Sequence, residues 1–227
     1  PLLVIAGAGS GKTRTLTYRV AQLVENGTPP ESILLLSFTR KASLEMLRRA
    51  AELLDQRCHH VSGGTFHSFA NKVLRRYAPL IGFEEGFSII DRADAEDLIG
   101  IIRKQFGTKT ASAKLPRKST LATLFSRAAN KELSTEDVIY DDYPHFDDQM
   151  NTIVQIREQY QQRKRDHFFC DYDDLLIYLR QLLWDNESVR KNLSARYQHI
   201  LVDEYQDTNL IQADIVSLLA GEAANVM

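Results

Sequence analysis

The run Ala6-Gly7-Ala8-Gly9-Ser10-Gly11-Lys12-Thr13 has the order of residue types that a phosphate-wrapping loop needs. Small residues let the backbone close around an anion with its N–H groups turned inward. The helix that follows adds free N–H groups and the positive end of its dipole. In such a loop Lys12 neutralises the outer phosphates of a nucleotide, and Thr13 ligates Mg²⁺ through its hydroxyl. The strict Walker A pattern opens with Gly where this chain has Ala6, so the match is to the relaxed form. A glycine-rich turn that binds nothing is the plain alternative. An apolar run before the loop and a helix pattern after it favour the phosphate site.

A second acidic site lies far along the chain. Ile200-Leu201-Val202-Asp203-Glu204 reads as an apolar strand ending in two carboxylates. Where such a strand lies beside a phosphate-loop strand, the Asp holds the magnesium shell and the Glu is positioned to polarise an attacking water. Alone, a strand ending in a solvated acidic turn is as good a reading; the Walker A run favours the site. Asp171, Asp173 and Asp174 open a helix, and Asp171 reads as its N-cap rather than as a metal ligand. Asp141-Asp142 and Asp147-Asp148 read as a solvated loop and a helix start. Cys58-His59-His60 does not read as a metal centre, because adjacent side chains do not converge on one ion and no second Cys/His pair has zinc spacing.

The elements that must hold these groups follow from periodicity. Leu2 to Ala6 reads as a short buried strand, Gly11 to Asn26 as a helix with Leu16, Val20, Leu23 and Val24 on one face, and Ile33 to Phe38 as a strand buried on both faces. Lys41 to Leu54 reads as a helix capped by Ser37 or Thr39, Val61 to Thr65 as a strand, and His67 to Tyr77 as a helix. That alternation implies an α/β fold with a parallel sheet. The middle of the chain changes character. Helices are expected at Ala93 to Phe106, Leu121 to Asn130 and Asp147 to Arg165, joined by a Lys/Ser/Thr-rich connector (Gly107 to Ser119) and an acidic loop through Asp141-Asp142-Tyr143-Pro144. No strand pattern stands out there, so this stretch reads as a helical insertion. The α/β pattern resumes near Phe168, with helices at Asp171 to Trp184, Ser188 to Ala195 and Leu210 to Ala220 and a strand at His199 to Asp203.

The chain has 227 residues, 44% of them hydrophobic and 26% charged, enough for one or two domains with real cores. The net charge of -2 neither supports nor excludes a nucleic-acid partner, since a basic groove can sit on a neutral protein. Two distant cysteines, Cys58 and Cys170, argue against a disulfide framework and for a reduced, cytoplasmic compartment. No apolar run has membrane-spanning length. The opening residues read as the inside of a strand and Asn225-Val226-Met227 as the start of another, so the natural protein is expected to extend both ways. Arg75-Arg76, Lys114 to Lys118 and Arg163-Lys164-Arg165 offer charge to a polyanion, but a charged run on a helix is more simply a solvated face.

Four further segments narrow the reading. Asp203-Glu204-Tyr205-Gln206-Asp207-Thr208-Asn209 resembles the DEYQDTN form of motif II in the UvrD/Rep/PcrA group of superfamily 1 helicases. Phe38-Thr39-Arg40-Lys41-Ala42-Ser43-Leu44-Glu45-Met46 resembles that group's motif Ia, Gly64-Thr65-Phe66-His67-Ser68-Phe69 its motif Ib, and Asp171-Tyr172-Asp173-Asp174-Leu175-Leu176 its DFDDLL segment. Arg40 stands for the group's usual Asn, and Ser43 for a common Ala.

The resemblance implies a RecA-like P-loop NTPase sheet, domain 1A, at residues 1–86 and 168–227, with a helical 1B subdomain inserted at residues 87–167. It implies ATP and Mg²⁺ bound by Ala6 to Thr13, with Arg14 touching the nucleotide and Thr13 and Asp203 serving the metal. Glu204 would be the catalytic base, assisted by Lys12, and Gln206 would couple the site to DNA. Phe38, Thr39, Arg40, Thr65 and His67 would meet DNA, Phe38 by stacking on a base and Thr65 and His67 at the backbone. On the residues alone, Phe38 reads rather as core at a strand end and His67 as a helix cap. The activity implied is ATP-driven 3′-to-5′ movement on single-stranded DNA and at single-strand/duplex junctions, in a bacterial cytoplasm close to the nucleoid. Domains 2A and 2B of a longer chain would complete the motor. By itself this chain is then expected to bind nucleotide weakly and hydrolyse it poorly. A subunit of a helicase–nuclease of the AddA/RecB kind is the nearest alternative. A signalling P-loop ATPase is more distant, because it has no use for motifs Ia and Ib.

Overall fold

The computed structural model describes residues 1–5, 7, 9–107, 115–221 and 225–227. In chain order these form α1 (Lys12–Glu25), β1 (Ile33–Ser37), α2 (Arg40–Leu53), β2 (Ser62–Thr65), α3 (Phe66–Tyr77) and β3 (Ser88–Ile89). There follow α4 (Arg92–Gly107), α5 (Lys118–Lys131), α6 (Thr135–Asp142), α7 (Met150–Asp166) and β4 (Phe169–Cys170). The chain continues through α8 (Tyr172–Asp185), α9 (Glu187–Arg196), β5 (His199–Val202), α10 (Leu210–Ala220) and β6 (Asn225–Val226). Two compact units result: Pro1–Leu74 together with Tyr178–Met227, and Arg75–Ile177.

The first unit is built on a four-stranded sheet of order β2-β1-β5-β6, with every pair parallel. Its central strand β1 is the all-aliphatic run Ile33-Leu34-Leu35-Leu36, buried on both sides as the sequence predicts for an α/β sheet. The helical stripe Leu16, Val20, Leu23 and Val24 of α1 packs with Met46, Leu47 and Ala50 of α2, and Ile33 and Leu35 complete that core. Cys58 belongs to the same cluster, and burial pushes its thiol up from its ordinary value. The fold is thus α/β with a parallel sheet.

One strand departs from expectation. Leu2 to Ile5 is exposed rather than buried and forms no ladder; its recorded sheet contact is the Leu2 N–H donating to the Val226 carbonyl at 2.7 Å. An apolar run becomes a buried strand only where neighbours cover it, and here one edge hydrogen bond stands in for a ladder. The carboxylate strand β5 is accordingly not next to this segment: β1 flanks it on one side and β6 on the other.

The second unit packs α4, α5, α6 and α7 around Ile99, Ile102, Leu121, Leu124, Val138, Ile139, Ile153 and Ile156. Two features here differ from the sequence reading. Asp141 and Asp142 do not form a loop but end α6, which begins at a capping box between Ser134 and Asp137. Asp147 and Asp148 precede α7 in a short 3₁₀ helix, Pro144–Gln149. A short parallel pair also forms: β3 at the start of the stretch expected to be mostly helical pairs with β4 just beyond its end.

The charged run at the end of α7 is the larger surprise. Lys164 is only 2% exposed. Its ammonium lies 2.6 Å from Asp171 Oδ2 and 2.6 Å from Asp174 Oδ2, over the face of the Tyr160 ring. It is neither a solvated face nor a guide for a polyanion. Asp171 does cap α8: its Oδ1 accepts from the Asp174 N–H, while Asp174 Oδ2 accepts from the Asp171 N–H. Most of the Lys/Ser/Thr-rich connector, including Lys114, lies outside the described residues.

Candidate active site

Ala6 and Ala8 lie outside the described residues, but the loop geometry between and after them is clear. Gly9 and Gly11 have φ of 75° and 93°, the left-handed region that only glycine enters without strain. The Ser10 N–H and hydroxyl both donate to the Gly7 carbonyl, at 3.3 and 2.6 Å, closing the turn. Gly11 is the N-cap of α1 and offers no side-chain cap, so the free N–H groups of the first turn face outward where an anion would sit. Lys12 is the first residue of α1 and Thr13 the second; the Thr17 hydroxyl fixes the turn by donating to the Thr13 carbonyl at 2.9 Å. Arg14 points outward from the same turn, its guanidinium hydrogen-bonded to the Tyr18 hydroxyl at 3.2 Å and lying 5.2 Å from that ring's centre.

β5 delivers the acids to this loop. Its last residue, Val202, is followed by Asp203, whose N–H continues the ladder by donating to the Leu36 carbonyl at 2.9 Å. The chain then turns through Glu204, a non-glycine residue at φ 52°. A residue held in the left-handed region costs of order 1 kcal/mol and points to a site where the turn matters. Here it brings the carboxylate to 3.5 Å from Lys12 Nζ. Glu204 also accepts from Gln206 Nε2, and that hydrogen bond, followed by Lys12, holds its carboxyl below the usual carboxylate range. Asp203 behaves oppositely. It is 7% exposed, and burial, then the charge of Glu204, raises its carboxyl, while the hydroxyl of Ser37 and the Glu204 N–H partly offset this. Two neighbouring carboxylates thus have their proton affinities pushed apart, a pattern of acid–base sites.

The oxygen set suits a small hard cation. Thr13 hydroxyl and Asp203 carboxylate are ligands that Mg²⁺ accepts, and its usual sites draw the remaining oxygens from phosphate and water. Accordingly no group of three His, Cys, Asp or Glu converges on a point among the described residues.

Beside Asp203 and Glu204 lies a cleft of about 110 Å³, also lined by Ser37, Phe38, Thr65, Phe66, His67, Asp207, Thr208 and Gln212. It gathers side chains from three separated segments, the ends of β1 and β2 and the turn after β5. Phe38 is 72% exposed and is therefore not core. Thr39, not Ser37, caps α2, its hydroxyl accepting from the Ala42 N–H at 3.1 Å. Thr65, not His67, caps α3, accepting from the Ser68 N–H at 3.2 Å while the Ser68 hydroxyl accepts from the Thr65 N–H. Arg40 is exposed on the first turn of α2 and is not among the cleft residues. Sequence reasoning assigns no role in the site to Ser37, offered only as a cap, to Asp207 and Thr208, quoted only within the motif II run, or to Gln212. The available signal for Ser37 is a lone hydroxyl ending an aliphatic strand.

With this geometry in place, comparison with known proteins becomes informative. The family profile of the UvrD/REP helicase N-terminal domain matches residues 1–227. The chain is 35% identical over 227 residues to the ATP-dependent DNA helicase PcrA of Staphylococcus epidermidis, covering 100% of this chain and 30% of that protein. It is 34% identical over 229 residues to the ATP-dependent DNA helicase UvrD1 of Mycobacterium tuberculosis, covering 99% of this chain and 29% of that one. PcrA of Staphylococcus aureus is 34% identical over 227 residues. The chain therefore spans about 30% of the length of these relatives. Matched along its whole length, the chain belongs to the UvrD/REP helicase N-terminal domain family.

Proposed function

We propose that this chain is the ATP-binding half of a DNA helicase motor that moves 3′-to-5′ on single-stranded DNA and works at single-strand/duplex junctions. The observation that carries the reading is the meeting of Lys12 with Glu204 at 3.5 Å beside the cleft that Phe38, Thr65 and His67 line. In this reading residues 1–86 and 168–227 are domain 1A and residues 87–167 are 1B. Domains 2A and 2B of a longer chain close the motor in a bacterial cytoplasm, close to the nucleoid.

Each side chain then has a role. The loop from Ala6 to Gly11 holds the phosphates through backbone N–H groups, and Lys12 leaves Glu204 to neutralise the outer phosphates. Thr13 and Asp203 would hold Mg²⁺, which would supply charge stabilisation to the transferring phosphoryl group. Glu204, held ionised, accepts a proton from the attacking water. Gln206 hydrogen-bonds to that same carboxylate and sits on the turn that also lines the cleft, so movement there reaches the catalytic base. Arg14 contacts the nucleotide. Phe38 stacks on a base, and Thr39, Arg40, Thr65 and His67 serve the DNA backbone.

Steady-state ATP hydrolysis by the full-length protein, with and without single-stranded DNA and with Lys12→Ala as control, tests this. Strong stimulation by DNA that the control abolishes is expected. Hydrolysis indifferent to DNA would overturn the motor reading.

A further inference from the structure

We infer that Ser37 is a positioning residue for Asp203, holding the carboxylate in the rotamer that serves the metal. This rests on the proposed magnesium role of Asp203. β1 is an aliphatic run except for its last residue, and Ser37 is 1% exposed, as buried as the leucines before it. A hydroxyl placed there costs stability unless it is hydrogen-bonded. Its partner is across the ladder: β1 and β5 pair in parallel with Leu36 opposite Val202, so the next step sets Ser37 beside Asp203. Ser37 Oγ lies 3.5 Å from Asp203 Oδ2 and donates to it.

Asp203 needs such a donor. The side chain is only 7% exposed, and a buried carboxylate costs stability unless it is hydrogen-bonded. The backbone at Asp203 is fixed by its own N–H to the Leu36 carbonyl, so the remaining freedom is in the carboxylate torsion. Ser37 ties one oxygen and leaves the other for the metal shell. Residues that orient metal ligands in this way typically carry about 10- to 100-fold in metal affinity. The long contact places Ser37 at the lower end.

The test is binding of fluorescent ADP to the full-length protein, measured in excess Mg²⁺ and in a chelator. The ratio of the two affinities isolates the metal-dependent part from folding and from phosphate binding. Ser37→Ala is expected to lower that ratio about tenfold, and Ser37→Thr, which keeps the hydroxyl, to restore it. Where Ser37→Ala folds poorly, Ser37→Thr against Ser37→Val compares hydroxyl with methyl at constant volume. An unchanged ratio in Ser37→Ala or Ser37→Val, or an equal fall in Ser37→Thr, overturns the role of Ser37. A wild-type ratio near one, or Lys12→Ala binding as wild type, overturns the nucleotide-site reading instead, and the inference with it.

Discussion

Replacing Lys164 with Met tests whether the buried cluster of the helical unit holds it together. The substitution keeps an unbranched side chain of similar length and removes one charge. It leaves Asp171 and Asp174, each 2.6 Å from the lost ammonium, without a cation. Breaking a buried ion pair from one side costs about 3–5 kcal/mol. Each carboxylate keeps a capping N–H, and Asp171 keeps the Tyr160 hydroxyl at 2.8 Å, so the lower end, about 3 kcal/mol, is expected. Urea unfolding at pH 7 gives the size of the loss, and hydrogen exchange at the amides of α7 locates it.

The pH dependence makes the test sharper. Burial, then the charge of Asp171, pushes the Asp174 carboxyl up to about 6. A folded-state value above the unfolded one adds stability that is fully present below the unfolded value and is lost as pH rises through about 6. Asp171 is shifted the other way: burial opposes its charge, but Lys164 outweighs this and lowers it. Its contribution is therefore intact from pH 7 to 5 and lost only below the ordinary carboxylate range. Between pH 7 and 5 the wild-type cluster gains stability by taking one proton at Asp174, which leaves a neutral Lys164–Asp171 pair. In Lys164→Met both acids lose the cation that lowers them and move up, so acidification relieves the variant more and the deficit narrows toward pH 5. A loss below about 1 kcal/mol at pH 7, the range of an exposed pair, or a deficit that widens on acidification, refutes this account.

Two other substitutions follow from the first unit. Phe38→Ala should leave thermal stability within about 0.5 kcal/mol, because the ring is exposed. The same change should weaken single-stranded DNA binding by about 1–3 kcal/mol, read by anisotropy with a labelled oligonucleotide. Ser43→Ala should raise stability by up to about 1 kcal/mol, since Ser43 Oγ is buried and has no hydrogen-bond partner among the described residues. Gly63→Ala should cost about 1–3 kcal/mol, because a Cβ there meets Ser43 Oγ and Leu47 Cδ1 at 2.7 Å; Ser43→Ala should return part of that loss in the double variant.

The readable parts of the fold are those whose signal is local. The stripe of α1, the aliphatic run of β1 and the glycines of the phosphate loop each carry their conformation in spacing and residue type. The Thr39 cap of α2 follows the same logic. α6 was equally local and was passed over: Ser134 and Asp137 are a capping pair three residues apart, followed by Val138 and Ile139, and the acids after them obscured it. Leu2 to Ile5 failed for a different reason. Apolar residues alone do not make a strand; a strand exists through its neighbours, and this segment has one recorded hydrogen bond to β6. The cleft residues Asp207, Thr208 and Gln212 depend on how the turn after β5 folds against β1 and β2, which no local pattern encodes.

Two of the lysines that face carboxylates, Lys12 and Lys164, show what separates a site from a staple. Lys12 announces itself by motif. Lys164 hides in an Arg-Lys-Arg run, yet Ile153, Ile156 and Tyr160 are buried at helical spacing, and the next position on that stripe is Lys164. A lysine on an apolar stripe must find acids or lose its charge, and Asp171 and Asp174, three apart at the start of α8, are the pair within reach. Geometry then assigns the roles. Lys164 is buried and doubly paired at 2.6 Å, a contact that cannot open without leaving charges stranded. Lys12 is about one-third exposed and sits 3.5 Å from Glu204, a pairing worth at most about 1 kcal/mol. A phosphate chain displaces a contact of that strength at little cost, so the weakness of the pair fits the proposed role of Lys12 in binding a nucleotide and releasing it.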